Sequence, residues 1–309
     1  MKKESNSLIR IASLNLFNYI QPPSAYYDFE NIYSQKQWQD KQAWLTRTLF
    51  ELNADVIGLQ EVFSVEALKQ HLFSLGYGYF YAAGEPKLES DYVFSEPVVA
   101  IASRYPITAV KTLEVDSRIR SEFSFSRAPL LATIVCPDLG ELDCCVVHFK
   151  SQRPTAYDVD EELRTELAEV ERWRSTSQRG MEARYLLHLL KKAKTDKGNP
   201  QILMGDFNRD LPSTELSCLI DSENHSLYDP KTFQHPMVLN PTHYYGETGS
   251  ILDYILVSEE LSPESAVKAI EVSNYQVIDK HLVSPVYDLD YMASDHALIS
   301  IDLNPISAS

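Results

Sequence analysis

Residues 201–208, QILMGDFN, read as an apolar strand that stops at a glycine and then presents an aspartate and an asparagine. Ile202, Leu203 and Met204 suit a buried strand. Asp206 and Asn208 follow where the chain must turn. A Gly-Asp-Phe-Asn string is by itself an ordinary turn. The same arrangement recurs along the chain, however. IASLN (11–15) ends in Asn15, ADVIGLQE (54–61) in Glu61 and ELDCCVVH (141–148) in His148. Asp253 opens DYILVS (253–258), and Asp295 with His296 precedes ALISIDL (297–303). Polar side chains at the ends of buried strands face a shared rim, where ligand sites form.

Working outward, strand-like runs also occupy residues 8–14, 78–82, 97–103, 107–115 and 129–136. Helices intervene. Trp38, Leu45, Leu49 and Leu52 share one face of a helix over 38–52. Val65, Leu68, Leu72 and Leu75 form the stripe of another, with Ser64 as its expected N-cap. Residues 157–174 are densely charged with both signs. STSQRG (175–180) reads as a break, and a helix over about 181–194 follows, with Tyr185, Leu186, Leu189 and Leu190 inward. Strands dominate and helices are interspersed, which suits stacked sheets flanked by helices. Linker-like composition and internal repeats are missing, so one domain over 1–309 is expected.

The 309 residues carry 44 acidic and 28 basic side chains, a formal charge of −16. That argues against a broad cationic nucleic-acid surface, but leaves room for a local basic groove or a polyanion met by a divalent cation. No apolar run approaches the roughly 20 residues of a membrane helix. The N-terminus lacks a continuous secretory stretch, so the cytoplasm is the expected compartment. Cys136, Cys144, Cys145 and Cys218 lack metal-site spacing and read as reduced, packed thiols.

Glu61, Asp206, Asp253 and Asp295 are four carboxylates. Brought together they repel, and a hard divalent cation relieves that repulsion. Oxygen donors of the Asp, Glu and Asn type suit Mg²⁺ or Mn²⁺ better than zinc. His148 and His296 would remain for acid–base or hydrogen-bonding work on a phosphoryl group. The set is the equipment for metal-assisted phosphoester hydrolysis.

The strings IASLNLFN, IGLQEVF, VVHFK, MGDFN, LDYILVS and SDHALI together resemble the successive motifs of the endonuclease/exonuclease/phosphatase superfamily, in its deoxyribonuclease I-like and exonuclease III-like branches. The resemblance runs from Asn15 to His296. It implies an α/β (α+β) fold, a four-layered sandwich of two mainly antiparallel sheets packed face to face with outer helices. It implies Glu61 as the principal metal ligand, with Asn15 and Asp295 near the same ion. His148 matches the histidine that contacts the scissile phosphate, and Asp206 the aspartate that positions or deprotonates the attacking water. Asn208 would bind the phosphate and support Asp206. Asp253 would orient His296, which would stabilise the transition state or protonate the leaving oxygen. One position departs from the pattern. Some nuclease branches place an aspartate two residues after the first-motif asparagine; here that residue is Phe17, which cannot bind metal, so one essential Mg²⁺ is expected.

Lys150 shares a strand face with His148 and could reach the same phosphate. Arg127 could aim at the same rim. The charged segment 151–180 reads either as a solvated helix with pairs such as Glu161 with Arg164 and Glu169 with Arg172, or as a cap over the cleft. The Tyr-rich stretch 274–293 could serve similarly. The reading that follows is a Mg²⁺-dependent (Mn²⁺ possible) phosphodiesterase, first a nuclease acting on nucleic acid. Its alternatives are a phosphatase or phospholipase C-like enzyme on a phospholipid or small phosphoester, and a non-catalytic binding protein. A monomer is the default expectation.

Overall fold

The computed structural model describes residues 8–154, 161–221, 227–237, 239–266, 268, 270–283 and 290–306. The chain begins with β1 (Ile9–Tyr19), β2 (Ala25–Tyr26), α1 (Gln35–Leu52), β3 (Val56–Val62), α2 (Val65–Ser74) and β4 (Tyr79–Ala82). It continues through β5 (Lys87–Ser90), β6 (Val93–Glu96), β7 (Val98–Ser103), β8 (Ile107–Thr112), β9 (Leu130–Cys136) and β10 (Gly140–His148). Next come α3 (Glu161–Lys197), β11 (Gln201–Asp206), β12 (His243–Tyr245), β13 (Thr248–Ser250) and β14 (Asp253–Val257). It ends with β15 (Ile270–Ile278), α4 (Lys280–Val283) and β16 (Leu298–Pro305).

Two sheets carry the fold. One has the order β15-β16-β1-β3-β7-β4, the other β14-β11-β10-β9-β8. Each contains a single parallel pair, β1 with β3 and β10 with β11; their other pairings are antiparallel. A parallel pair needs a crossover connection. The helices α1 and α3 supply the two crossovers.

The alternation of side chains sets the layers. On β10, Leu142, Cys144 and Val146 join Ile202, Met204 and Ile255 in the core that also holds Ile11, Val56 and Ile101 of the facing sheet. The intervening Cys145 and Val147 pack instead with Ala183, Leu186 and Leu190 of α3. On the far side, Trp38, Leu45 and Leu49 of α1 and Leu68 and Leu72 of α2 cover Leu14, Ile57 and Leu59. The result is the expected four-layered α/β sandwich. All four cysteines are buried and free. No helix among the described residues is long and apolar enough to cross a membrane.

The helices differ from expectation in detail. A capping box starts α1 before Trp38: the Ser34 hydroxyl accepts from Gln37 N (3.2 Å) and the Gln37 side chain accepts from Ser34 N (2.8 Å). Ser64 precedes α2 but does not cap it; its hydroxyl accepts from Gln21 N at 2.8 Å. The break expected at 175–180 does not occur, and α3 runs through it. Ser175 is buried and donates to Arg153 O at 2.7 Å. A Cβ on Gly180 would lie 3.4 Å from Glu215 Cβ. The small residues serve close packing of the helix, so tertiary contact overrides their turn propensity. Glu169 and Arg172 form the expected i,i+3 pair. The Glu161 and Arg164 side chains lie outside the described residues, as do residues 284–289 of the Tyr-rich stretch. The hairpin β5–β6, the pair β12–β13 and the strand β15 escaped the sequence reading.

Two glycines fix how closely backbones approach. A Cβ on Gly58 would stand 3.0 Å from Met204 Sδ and 3.1 Å from Val146 Cγ2, across the inter-sheet core. Gly205 has φ +146°, and its Cβ would fall 2.0 Å from Val147 O on the neighbouring strand. Gly205→Ala should therefore cost roughly 3 kcal/mol, through overlap with backbone that cannot yield. Urea unfolding with an unchanged midpoint would contradict this packing.

Candidate active site

The site grows from strand register. In the second sheet His148 is the cross-strand partner of Asp206, and Asp206 is the partner of Asp253. Three functional side chains thus stand in one row across β10, β11 and β14. His148 Nε2 lies 3.4 Å from Asp206 Oδ2. Just past the strand ends, Phe149 N donates to Asp206 O at 3.0 Å and Asn208 N to Asp206 Oδ1 at 2.8 Å. Asn208, at φ 57°, also donates from Nδ2 to Phe149 O at 3.0 Å.

The first sheet contributes from the facing edge. The pairing of β1 with β3 is regular to Asn15 and Gln60 and then shifts. Phe17, Asn18 and Glu61 all take left-handed backbone there, at φ 51°, 58° and 58°. Such conformations cost energy for bulky residues and persist where surroundings enforce them. Here they turn Asn15 and Glu61 towards one another. Asn15 Nδ2 donates to Asp206 Oδ2 (3.1 Å) and Glu61 Oε1 (3.4 Å). Asn18 N donates to Glu61 Oε2 at 2.9 Å, and Phe17 N to Asn15 Oδ1 at 2.9 Å. Asn15 is therefore the bridge between the sheets.

Residues 294–296 close the site. The Ser294 hydroxyl donates to Asn15 O (2.6 Å) and accepts from His296 N (3.0 Å). His296 Nδ1 meets Asp253 Oδ2 at 2.9 Å, and its Nε2 lies 3.8 Å from Asp206 Oδ2 and 3.9 Å from Asp295 Oδ1. Asp253 is set by Thr242, whose hydroxyl accepts from its backbone N at 3.1 Å. Asp295 Oδ1 and Asp253 Oδ1 are buried, with no hydrogen-bond partner among the described residues.

The two histidines have opposite electrostatics. Burial lowers the proton affinity of His148 well below the ordinary value, and Arg127, His296 and Lys150 lower it further. Burial works against protonated His296 too, but Asp253, Asp206 and Asp295 outweigh it and raise its pKa well above the ordinary value. Burial, reinforced by Asp253 and Glu61, raises the proton affinity of Asp206 against the opposing pull of His296 and Asn208 N.

Eight predicted residues meet in or border this constellation: Asn15, Glu61, His148, Asp206, Asn208, Asp253, Asp295 and His296. Arg127 stands next to it, donating from Nη1 to Phe149 O at 3.3 Å. Lys150 is half-buried, its pKa lowered first by burial and then by Arg127. Glu182 of α3 accepts from Ser126 N and Lys150 N, both at 2.7 Å, and so ties the segments carrying both cations to one helix.

Other residues escaped the sequence reading. Lys41 of α1 is buried, with its Nζ over the rings of Phe17 (5.5 Å) and Tyr33 (5.6 Å) and no hydrogen-bond partner among the described residues. Burial pushes its pKa down to about 8, while Asp295 and Glu61 pull the other way. A lysine on the apolar stripe between Trp38 and Leu45 was the available signal. His243 pairs by backbone with His296, their rings 4.9 Å apart, and its Nε2 lies 3.9 Å from Asp295 Oδ2. Potential ligand atoms of His243, Asp295 and His296, and of Asp206, Asp253 and His296, lie within 4.8 Å of one another, which makes a possible acidic metal-binding cluster.

The chain also resembles known proteins. Residues 31–296 match the Endonuclease/Exonuclease/phosphatase family. No curated protein sequence matches significantly. The human Nocturnin catalytic domain, solved with a bound sulfate anion, superposes with a TM-score of 0.63 at 18% identity, covering 97% of this chain and 95% of that one. TDP2 of D. rerio, solved with a single-strand DNA product, gives 0.60 at 14% identity, covering 96% and 99%. An AP endonuclease from Archaeoglobus fulgidus gives 0.55 at 14% identity, covering 95% and 98%. At these identities the likeness carries the fold, while the family match spans most of the chain. The chain belongs to the endonuclease/exonuclease/phosphatase family of phosphoester hydrolases.

Proposed function

We propose that this protein is a Mg²⁺-dependent phosphodiesterase that cleaves nucleic acid by in-line attack of water on phosphorus. One observation carries the reading. Asp206 is a buried carboxylate whose Oδ2 lies among Asn15 Nδ2, His148 Nε2 and His296 Nε2, while its Oδ1 is held by Asn208 N. Its raised proton affinity suits it to take the proton from an attacking water. The oxygen–phosphorus bond forms as the bond to the leaving oxygen breaks. His296, protonated and fixed by Asp253, offers Nε2–H to the charge that develops and can give its proton to the leaving oxygen. Neutral His148 retains a ring N–H for the phosphate. Arg127 and Lys150 add positive charge on that side.

The donor set fits a hard divalent cation. Glu61, Asn15 and Asp295 would hold Mg²⁺; Asp295 Oδ1, with no hydrogen-bond partner among the described residues, supports a ligand at Asp295, whereas Glu61 is in neither of the two groups whose ligand atoms lie within 4.8 Å of one another. Bound there, the ion would supply positive charge to offset the phosphate and the crowded carboxylates. A single ion is favoured. Phe17 offers no ligand on its side, and the Lys41 ammonium over its ring already brings positive charge towards Glu61 and Asp295. One domain over the whole chain and a cytoplasmic setting complete the proposal, the latter supported by the four free, buried thiols.

A second reading is a phospholipid or inositol headgroup as substrate. It rests on Tyr27, Phe29 and Ile32, which are exposed between β1 and α1; Tyr27 lies within electrostatic reach of Glu61.

Millimolar Mg²⁺ should raise the melting temperature of the wild type by a few degrees, and Glu61→Gln should lose both that shift and metal-dependent turnover while keeping the native circular dichroism. Full activity in Glu61→Gln would remove Glu61 from the ion site. Cleavage of labelled single- and double-stranded DNA at low salt should fall roughly 10³-fold in His296→Ala. Cleavage of phosphoinositide or sphingomyelin with none of DNA or RNA would replace the nuclease reading with the second one.

A further inference from the structure

The N-terminal half of α3 does little for the core. Between residues 169 and 175, Glu171 and Ser175 are buried, while Glu169, Val170, Arg172, Trp173 and Arg174 face outward. Trp173 is 68% exposed. An indole left in water on a charged helix is unusual, because tryptophan buries a large apolar area when it can.

Trp173 borders a cavity of about 630 Å³, within the size range of ligand pockets. Four arginines line it, Arg172, Arg179, Arg184 and Arg209, against Glu169 and Glu215. In a chain of net charge −16 this is a local reversal of sign. The arginines are not equivalent. Arg179 is buried and committed, donating to Lys150 O (2.8 Å) and Glu215 (2.9 Å). Arg172 is exposed and pairs with Glu169, one turn earlier. Arg184 is exposed and has no carboxylate partner among the described residues. Arg209 donates to Gln152 Oε1 at 3.2 Å and also reaches Asp210 and Glu215.

None of the constellation's residues lines the cavity, but its wall follows directly from them along the chain. Arg209 directly follows Asn208, whose backbone N–H holds Asp206. Gln152 lies two residues beyond Lys150. A second cavity, lined by Lys231, Leu252 and Tyr254, shares Gln152 and Arg209 with the first. The Gln152–Arg209 pair thus borders both spaces, beside the ends of β10 and β11.

We infer that this cavity is a subsite for the flanking part of a single-stranded nucleic acid, with a base stacked on Trp173 and phosphates on Arg184, Arg172 and Arg209. The inference deepens the phosphodiesterase reading above and rests on it. Guanidinium groups match phosphate oxygens in a fork geometry, and an exposed indole offers a stacking face to any base. An unpaired strand is required, since a duplex keeps its bases stacked inside. A membrane surface fits less well, because four arginines and two glutamates line the cavity beside the indole.

The test is binding of a fluorescent single-stranded oligonucleotide to the full chain in EDTA, across a salt series, by anisotropy. Trp173→Ala should weaken binding roughly tenfold, and Trp173→Phe should restore most of it. Arg184→Glu should weaken binding and lower the salt slope by about one or more. Lys36→Glu, on α1 at the opposite outer layer, controls for net charge and should bind as the wild type. Wild-type binding by both Trp173→Ala and Arg184→Glu overturns the inference. So does equal weakening by Lys36→Glu, or loss of anionic phosphatidylserine vesicle binding in place of strand binding. Mg²⁺-dependent hydrolysis of bis(p-nitrophenyl) phosphate by the wild type, measured in parallel, separates the two levels. Hydrolysis with insensitive strand binding removes the subsite alone. Sensitive strand binding with hydrolysis of neither the ester nor the strand removes the phosphodiesterase reading and leaves a nucleic-acid-binding surface.

Discussion

Parallel pairing at the centre of each sheet is the constraint from which the site follows. A parallel pair places two carboxyl ends at one edge, and each pair here is closed by a long crossover through a helix. The sheets pack so that both such edges lie at the same rim. Asn15 and Glu61 come from one pair and His148 and Asp206 from the other, and Asn15 Nδ2 spans the gap with hydrogen bonds to both Glu61 and Asp206. An antiparallel pair in either position would have sent one of its two functional side chains to the opposite end of the sandwich. Close approach of the layers is the second requirement. It is met by Gly58 across the sheets and by Gly205 within one, where no Cβ fits.

Register alone delivers His148, Asp206 and Asp253, since the three are cross-strand partners. On the facing side Asn15 is in regular register with Gln60, and the pairing shifts just beyond it, at Glu61. Phe17, Asn18 and Glu61 take left-handed backbone at that shift. The cost of those conformations is offset by local hydrogen bonds, above all those of Asn18 N and Phe17 N to the side chains they turn. The strain and the function therefore sit on the same few residues.

Much of this was legible in the sequence, and the gaps have physical causes. Strand ends could be read because apolar runs stop abruptly at single polar residues, so Glu61, His148, Asp206, Asp253 and His296 stood out. Which strands pair, and which pairs are parallel, depends on contacts between distant segments and was not visible in any one run. The break expected within α3 failed because Ser175 and Gly180 are small for packing reasons that only the neighbouring segments at Arg153 and Glu215 reveal. Lys41 was hidden by its surroundings. On a helical stripe with Trp38 and Leu45 a lysine looks like a surface residue with a buried stem, whereas its ammonium lies inside, over Phe17 and Tyr33. The short strands β5, β12 and β13 are largely exposed and lack an apolar pattern to read.

Charge explains why the site holds together although it is costly to bury. Asn15, His148, Asp206, Asp253 and His296 are almost wholly removed from water. Isolated charges there would be strongly unfavourable, and pairing offsets the penalty only with good hydrogen-bond geometry. The two histidines divide the task. Burial, then Arg127, His296 and Lys150, hold the proton affinity of His148 down. Asp253 meets His296 at 2.9 Å and keeps it charged in spite of burial. Four carboxylates, Glu61, Asp206, Asp253 and Asp295, still crowd one rim and repel one another there. That repulsion makes a cationic ligand beside Glu61 and Asp295 favourable. Outside the constellation, positive charge gathers close by in sequence: a cavity lined by Arg172, Arg179, Arg184 and Arg209 begins one residue beyond Asn208.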